Sequence, residues 1–144
     1  MNVTLVLPPF DYAQSVGNTR KKAKSGILPP LGVGCLAAAL EQRGHVVSLV
    51  DAMAEYFDLA QTVDAIAAKR PEAVGISVLT TVSAQMAYDL AEAVKQRLPG
   101  IPVVMGGPHV TSFPRGILDV CPHVDVLVPG DGEEVFPALL ERLA

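Results

Sequence analysis

Short apolar runs alternate with longer mixed segments along the chain, and this alternation predicts five β-strands separated by α-helices. The apolar runs are rich in β-branched residues, and the predicted strands are Val3–Leu7, Val46–Asp51, Ala73–Val78, Pro102–Gly106 and Val124–Val128. The segments between them begin or end at proline, glycine or capping residues, as helices do. The predicted helices are Leu31–Gly44, Asp58–Arg70, Ser83–Leu98, about Pro114–Val120, and Glu133–Leu143.

The predicted strands are apolar at nearly every position rather than at every second one. This pattern is typical of a parallel sheet covered by helices on both faces. Right-handed crossovers between successive strands then give an α/β fold, a doubly wound five-stranded parallel sheet in three αβα layers. We expect the flavodoxin-like strand order 2-1-3-4-5, in which ligands bind beyond the carboxyl ends of strands one and three.

The connection Pro8–Pro30 breaks this regular spacing. It is about 23 residues long, whereas connections of this type usually have about 2–6 residues. A loop of this length at a predicted ligand site is typically functional or disordered. It contains the cationic cluster Arg20–Lys24, which is either a solvated surface run or a segment that covers a ligand or meets a partner domain. The sequence does not predict its conformation.

The composition is that of one globular domain, residues 1–144, with half of its residues apolar and 18% charged. The net charge of −4 argues against a nucleic-acid partner, which favours a basic surface. No apolar run approaches the ~18 residues of a membrane-spanning helix, and no basic segment precedes the N-terminal apolar run as in a signal peptide. Cys35 and Cys121 are isolated thiols without metal-ligand spacing, which indicates the cytoplasm.

Small and hydroxylated residues cluster where three adjacent predicted strands end. They are Ser77, Leu79, Thr80, Thr81 and Ser83 after strand three, Gly106–His109 after strand four, and Pro129–Glu134 after strand five. Each group has an ordinary explanation, because Ser and Thr cap helices and acidic residues favour the first turn of a helix. Together, however, they predict a wide floor at the carboxyl edge of the sheet, with room for a large ligand.

Other ligand sites known on this fold are not matched. Gly32–Ala37 fits the G-x-G-x-x-G/A dinucleotide pattern and Asp51 ends strand two, but such a site needs its glycines directly after strand one. Here they are predicted inside a helix, where close packing against the sheet would explain them. A phosphate-accepting receiver domain would carry acids after strand one, where this chain has Pro8 and Pro9. A flavodoxin would carry a Ser/Thr-rich loop at the same place.

Four phrases of the sequence resemble a known family. They are LPPLGVGCLAAALEQRGHVV, PEAVGISVLTT, PVVMGGPHVT and VDVLVPGDGEE. Ser77-Val78-Leu79 followed after 26 residues by Gly106-Gly107 resembles the Ser-x-Leu…Gly-Gly signature of cobalamin-binding domains. The phrases and their order resemble the N-terminal cobalamin-binding domain of cobalamin-dependent radical S-adenosylmethionine (SAM) enzymes. The resemblance covers essentially the whole chain except the middle of the long loop.

The resemblance implies a corrin ring over the carboxyl edge of the sheet and a nucleotide tail inserted into the fold. Gly106 and Gly107 would leave room for the tail. Ser77 would hydrogen-bond the tail, and Leu79 would pack on the corrin or the tail. The rest of the cofactor site would be formed by Thr80, Pro108, His109, Gly130, Asp131, Gly132 and Glu133 along the wall, and by Leu28, Pro30 and Gly32 near the lower corrin face. No catalytic residue and no protein metal ligand is implied within the chain.

Histidine ligation of cobalt is not expected. Many cobalamin domains carry Asp-x-His-x-x-Gly after strand one, but the first histidine of this chain is His45. His45 and His123 precede strands and are predicted at the opposite edge, whereas His109 is predicted to be a hydrogen-bonding loop residue. The resemblance therefore implies cobalamin bound in the base-off form, with no protein imidazole on cobalt.

The catalytic part of such enzymes is not expected in this chain, because two isolated cysteines cannot form the Cys-x-x-x-Cys-x-x-Cys site of an iron–sulfur cluster. The cluster and SAM are expected in a downstream radical SAM domain, in cis or in trans, of a parent methyltransferase or cyclase. The alternative is a flavodoxin-like nucleotide-binding or non-catalytic interaction module that has lost corrinoid binding.

Overall fold

The computed structural model describes residues 1–10 and 29–143 and contains a five-stranded sheet. The strands are β1 Asn2–Leu7, β2 Val46–Asp51, β3 Ala73–Ser77, β4 Val103–Gly106 and β5 Val126–Val128. Their order is β2-β1-β3-β4-β5, and every neighbouring pair is parallel. The predicted fold class and strand order are therefore confirmed. The predictions for Arg20–Lys24 and Leu28 fall outside the described residues.

Within the described ranges, the α-helices are α1 Leu31–Gln42, α2 Leu59–Ala68, α3 Ala84–Arg97, α4 Pro108–Ser112, α5 Ile117–Val120 and α6 Gly132–Leu143, and a 3₁₀ helix covers Thr81–Ser83. Asp58, the residue at which the second predicted helix begins, is the N-cap of α2. The Asp58 carboxylate accepts a hydrogen bond from the Gln61 N–H at 2.8 Å, and the Gln61 side chain accepts one from the Asp58 N–H at 3.0 Å. This reciprocal capping box satisfies two N–H groups at the start of the helix.

Two predicted boundaries near β4 and β5 are wrong. The helix predicted over about Pro114–Val120 is present only as α5, which follows Gly116 at φ +83°, and the additional helix α4 lies directly after β4. Proline at the first position of α4 has a backbone angle that suits a helix start. Strand five is predicted from Val124, but β5 begins at Val126. The Asp125 carboxylate accepts a hydrogen bond from the Val103 N–H at 2.6 Å. In a longer β5, that N–H would instead bond to a backbone carbonyl of β5.

Helices cover the sheet on both faces, as the three-layer prediction requires. On one face α1 and α6 pack together over β1, β3 and β4, in a core that includes Leu5, Leu40 and Leu140. On the other face α2 and α3 pack together, in a core that includes Ile66 and Leu90. The cores on both faces contain the apolar strand residues from which the strands were predicted.

The sheet face under α1 and α6 lacks bulky side chains along part of β3 and β4. Successive side chains of a strand point to opposite faces, so Gly75 and Ser77 lie on the same face of β3. The strand register pairs Leu5 with Gly75, Gly75 with Val104, and Ser77 with Gly106. Ser77 and Gly106 leave a groove at the carboxyl edge, whereas the space beside Gly75 is occupied by the side chains of Leu5 and Phe136.

Among residues 1–10 and 29–143, no helix combines the length and the apolarity that crossing a bilayer requires. In the same ranges, no group of three or more His, Cys, Asp or Glu residues is arranged to hold a metal ion. Cys35 is exposed and Cys121 is buried, and both are free thiols.

Candidate functional site

A cavity of about 640 Å³ opens at the carboxyl edge of the sheet and extends between the sheet and helices α1 and α6. This volume lies within the range of cofactor and small-molecule sites, about 300–1,000 Å³. The cavity includes the ends of β3 and β4, so it lies at the edge where the strand order predicts a ligand. Its lining divides into an apolar inner part and a more polar mouth.

We call the inner part the inner wall, and its residues are Leu5, Val33, Leu36, Gly75, Val104, Val128 and Phe136. Leu5, Gly75 and Val104 form one row across three strands. A Cβ atom built on Gly75 would lie 2.9 Å from both Leu5 Cδ2 and Phe136 Cε1. The Phe136 ring of α6 therefore fills the space of the missing side chain and closes the inner end. No side chain of the inner wall carries a hydrogen-bonding group.

The mouth contains most of the predicted site residues. Those that line it are Pro30, Gly32, Ser77, Leu79, Gly106, Gly107, Pro108, Gly130, Asp131, Gly132 and Glu133. Thr80 and His109, which the resemblance places in the same wall, are not among the lining residues. The Thr80 hydroxyl lies 3.2 Å from the Ser83 hydroxyl instead. Leu28 is outside the described residues.

Sequence reasoning missed the inner wall and several other lining residues, Ile76, Thr111 and Ser112 among them. Thr111 Oγ1 accepts a hydrogen bond from the Gly130 N–H at 2.9 Å and donates one to the Gly107 carbonyl at 3.1 Å. It thereby joins the loop after β4 to the loop after β5. A glycine inside an apolar strand signals a close approach, so Gly75 could have been found. Phe136 has no such signal, because its sequence pattern is that of any core residue.

The backbone around Gly106 and Gly107, at the end of β4, leaves little room for a side chain. Gly107 has φ +99°, and a Cβ atom there would lie 2.8 Å from the Val78 carbonyl oxygen. No other residue fits this position without strain. A Cβ atom on Gly106 would lie 3.2 Å from the Val128 carbonyl oxygen. Both glycines line the cavity, but room for a ligand is not needed to explain Gly107.

The dinucleotide-like pattern does not form a dinucleotide site in this fold. Gly32 and Gly34 lie in the first turn of α1 rather than in a turn after β1. A Cβ atom on either one meets no heavy atom within 4 Å among the described residues. The expectation that close helix–sheet packing explains these glycines is therefore wrong. Asp51, the candidate ribose-binding acid, accepts a hydrogen bond from the Ala54 N–H at 3.0 Å.

His109 is a buried residue with partners on both ring nitrogens. Its Nδ1 lies 3.1 Å from Thr81 Oγ1, and its Nε2 lies 3.0 Å from Tyr88 Oη. Its backbone N–H donates to the Val78 carbonyl at 3.1 Å. Burial raises the pKa of the Tyr88 phenol, with a smaller contribution from the charge of Cys121, so this partner remains a neutral hydroxyl. The ring therefore connects the loop after β3 to α3.

The other two histidines lie at the opposite edge of the sheet. His45 directly precedes β2 and His123 precedes β5, and the starts of parallel strands share one edge. His123 Nε2 is 4.0 Å from Glu92 Oε1. None of the chain's three histidines lines the cavity.

Comparisons with known proteins agree with this site. The sequence model of the B12 binding domain family matches residues 23–140. An uncharacterised methyltransferase of Pyrococcus horikoshii is 36% identical over 146 residues, which span 100% of this chain and 30% of the relative. The cobalamin-dependent radical SAM methyltransferase TokK of Streptomyces tokunonensis is 32% identical over 114 residues, 77% of this chain and 16% of the relative. The chain thus spans less than a third of either relative.

A solved structure supports the fold. TsrM of Kitasatospora setae is a radical SAM methyltransferase whose structure holds cobalamin and an iron–sulfur cluster. It matches 99% of this chain and 25% of its own chain, with a TM-score of 0.77 and 21% sequence identity. At this identity the likeness shows a common fold, whereas the family is shown by the match over residues 23–140. The chain therefore belongs to the B12-binding domain family.

Proposed function

We propose that the chain binds cobalamin in the base-off form, with the nucleotide tail in the cavity and no protein histidine on cobalt. The observation that carries this proposal is the cavity, whose apolar inner wall lies behind a polar mouth. An apolar wall suits the flat dimethylbenzimidazole ring of the tail, and hydroxyl groups at the mouth suit its ribose and phosphate. The residues present therefore fit the cofactor that membership of the family suggests.

Particular residues would hold each part of the cofactor. Leu5, Val104 and Phe136 would contact the base, and Ser77 would hydrogen-bond the tail. Leu79 is 44% exposed at the mouth, where its side chain would contact the corrin ring. When bound, cobalamin supplies a cobalt centre that can carry a methyl group, and its axial ligands tune that chemistry.

The lack of a protein imidazole on cobalt is supported by the hydrogen bonds of His109. Thr81 and Tyr88 occupy its two ring nitrogens, and the residue is only 7% exposed. Ligation would break one of these bonds and leave a hydroxyl group without its partner. His45 and His123 lie at the other edge of the sheet, away from the cavity.

Optical and electron paramagnetic resonance spectra test this proposal. The chain is mixed with hydroxocobalamin, freed of excess cofactor by gel filtration, and reduced to the cobalt(II) form. We expect colour to co-elute with the protein and the cobalt(II) spectrum to lack nitrogen superhyperfine splitting. A colourless protein at micromolar cofactor would contradict cobalamin binding and favour a module that has lost the corrinoid.

Isotope labelling identifies any axial nitrogen that is detected. If splitting occurs in unlabelled protein, the spectrum is repeated with uniformly ¹⁵N-labelled protein and unlabelled cofactor. A changed splitting pattern assigns the nitrogen to the protein and contradicts the absence of a histidine ligand. An unchanged pattern assigns it to the cofactor's own base and contradicts the base-off form.

We also infer that the chain is the cofactor-carrying part of a radical SAM enzyme. This rests on the relatives. TokK is a cobalamin-dependent radical SAM methyltransferase, and the region of TokK that matches this chain is 16% of its length. The coding sequence beyond Ala144 tests the cis arrangement. We expect a Cys-x-x-x-Cys-x-x-Cys motif there, and a stop codon or an unrelated domain would contradict this arrangement.

A further inference from the structure

The inner wall of the cavity offers no hydrogen-bonding partner to a ligand. All of its side chains are apolar or absent, and Leu5, Val104 and Phe136 are each only 2% exposed. The strands beneath pair with one another along the row of Leu5, Gly75 and Val104, so their backbone groups are used within the sheet. The polar side chains of the lining belong to the mouth, such as Ser77 at the end of β3 and Thr111 in α4.

We propose that this wall makes the site selective for cobamides whose lower base has at most one free polar ring atom, a benzimidazole or a phenol, over cobamides with a purine base. The proposal rests on the proposed function, because it requires that the tail enters the cavity. A purine would bury ring nitrogens and an amino group without partners, which is costly. A bridging water does not solve this, since a buried water needs two to four polar partners of its own.

Size does not provide this discrimination. Phe136 closes the inner end of the cavity, and adenine and dimethylbenzimidazole are both fused bicyclic rings of similar length. Either base would therefore occupy a similar length of the cavity, and the difference lies in the polar atoms that the purine carries. A base with two or more unpaired buried polar atoms should bind at least about tenfold more weakly.

A ligand series on the unmodified chain tests the proposal by equilibrium dialysis. The probes are cobalamin, p-cresolyl-cobamide, adeninyl-cobamide, and cobinamide, which lacks the nucleotide tail. A p-cresol base cannot coordinate cobalt, so binding of this probe includes no cost for releasing the base from the metal. Its affinity therefore reports the burial of the base alone. We expect cobalamin and p-cresolyl-cobamide to bind most tightly, adeninyl-cobamide at least about tenfold more weakly, and cobinamide most weakly.

The outcomes separate the two proposals. If cobinamide binds as tightly as cobalamin, the tail contributes nothing and the proposed function is overturned. If cobinamide binds weakly but adeninyl-cobamide equals cobalamin, the tail enters the cavity and only the selectivity is overturned. A p-cresolyl-cobamide that binds as weakly as the adeninyl form would also overturn it, because an apolar base would then have no advantage.

A pair of variants assigns the selectivity to the wall. Leu36→Gln places an amide in the inner wall on a half-buried position of α1, and Ala38→Gln places the same side chain on the exposed surface of that helix. We expect Leu36→Gln to narrow the ratio of cobalamin to adeninyl-cobamide affinity several-fold, and Ala38→Gln to leave it unchanged. An unchanged ratio in a folded Leu36→Gln variant would contradict the role of the wall.

Discussion

Replacing Gly32 by tryptophan should block the mouth of the cavity from α1. Gly32 lines the mouth, and a Cβ atom there meets no heavy atom within 4 Å among the described residues. The Cβ atom of a Gly32→Trp variant therefore meets no clash in the described part of the fold, and the ring attached to it would lie at the mouth. Because tryptophan has a higher helix propensity than glycine, the helix itself should not be weakened.

The size of the effect follows from the area that the new ring covers. A tryptophan side chain buries about 150–250 Å², and buried apolar area contributes ~25 cal/mol per Å². Excluding an equal area of the cofactor tail would then cost about 4–6 kcal/mol. A ring on the first turn of a helix can rotate partly into solvent, so we expect at least a tenfold loss of cobalamin affinity, about 1.4 kcal/mol.

Gly34→Trp is the matched control, measured by the same hydroxocobalamin dialysis and by thermal unfolding. Gly34 lies in the same turn of α1, has equally open space around its Cβ among the described residues, and does not line the cavity. Wild-type affinity in Gly32→Trp would refute the placement of the cofactor at this mouth. An equal loss in both variants would show that the effect comes from α1 rather than from the cavity.

Three further predictions concern the contacts around the site. Tyr88→Phe leaves Nε2 of the buried His109 without its partner and should lower the free energy of unfolding by about 1–3 kcal/mol in urea; unchanged stability would contradict that hydrogen bond. Gly107→Ala puts a side chain at φ +99° and 2.8 Å from a carbonyl oxygen, so it should cost roughly 1–3 kcal/mol, and a neutral effect would refute the strained turn. Burial raises the pKa of the Cys121 thiol, so the stability it contributes is complete below its unfolded-state pKa of about 9.0 and is lost as the pH rises further. Cys121→Ala should therefore reduce the alkaline loss of stability, and a pH dependence identical to that of the wild type would count against this linkage.

The fold was predictable because its strands are apolar on both faces. Ala73–Ser77 and Val103–Gly106 are buried almost throughout, and a parallel sheet between two helical layers typically buries strands in this way. The strand boundary at Val126 was not predictable. Val124 is 4% exposed and has strand propensity, so the sequence favours a strand there. The Asp125 side chain, however, accepts a hydrogen bond from a backbone N–H of β4. The pattern of apolar and polar residues does not predict such a tertiary contact.

The mouth of the cavity was predictable to a greater extent than its interior. Ser77, Gly106 and Gly107 stand out from the sequence because glycine and serine are unusual at the end of a buried strand. In the sequence, Phe136 and Val104 look like ordinary core residues. They line the cavity because the neighbouring residue Gly75 has no side chain, and only the structure shows that these residues are neighbours. His109 was predicted at the correct edge, but only the structure shows that its ring points toward α3.

The most direct test of the central claim is a crystal structure of the chain grown with hydroxocobalamin. The account predicts the dimethylbenzimidazole ring against Leu5, Val104 and Phe136, with His109 still bound to Tyr88 and no imidazole on cobalt. Density that places the base on cobalt, or outside the cavity with the inner wall empty, would contradict it.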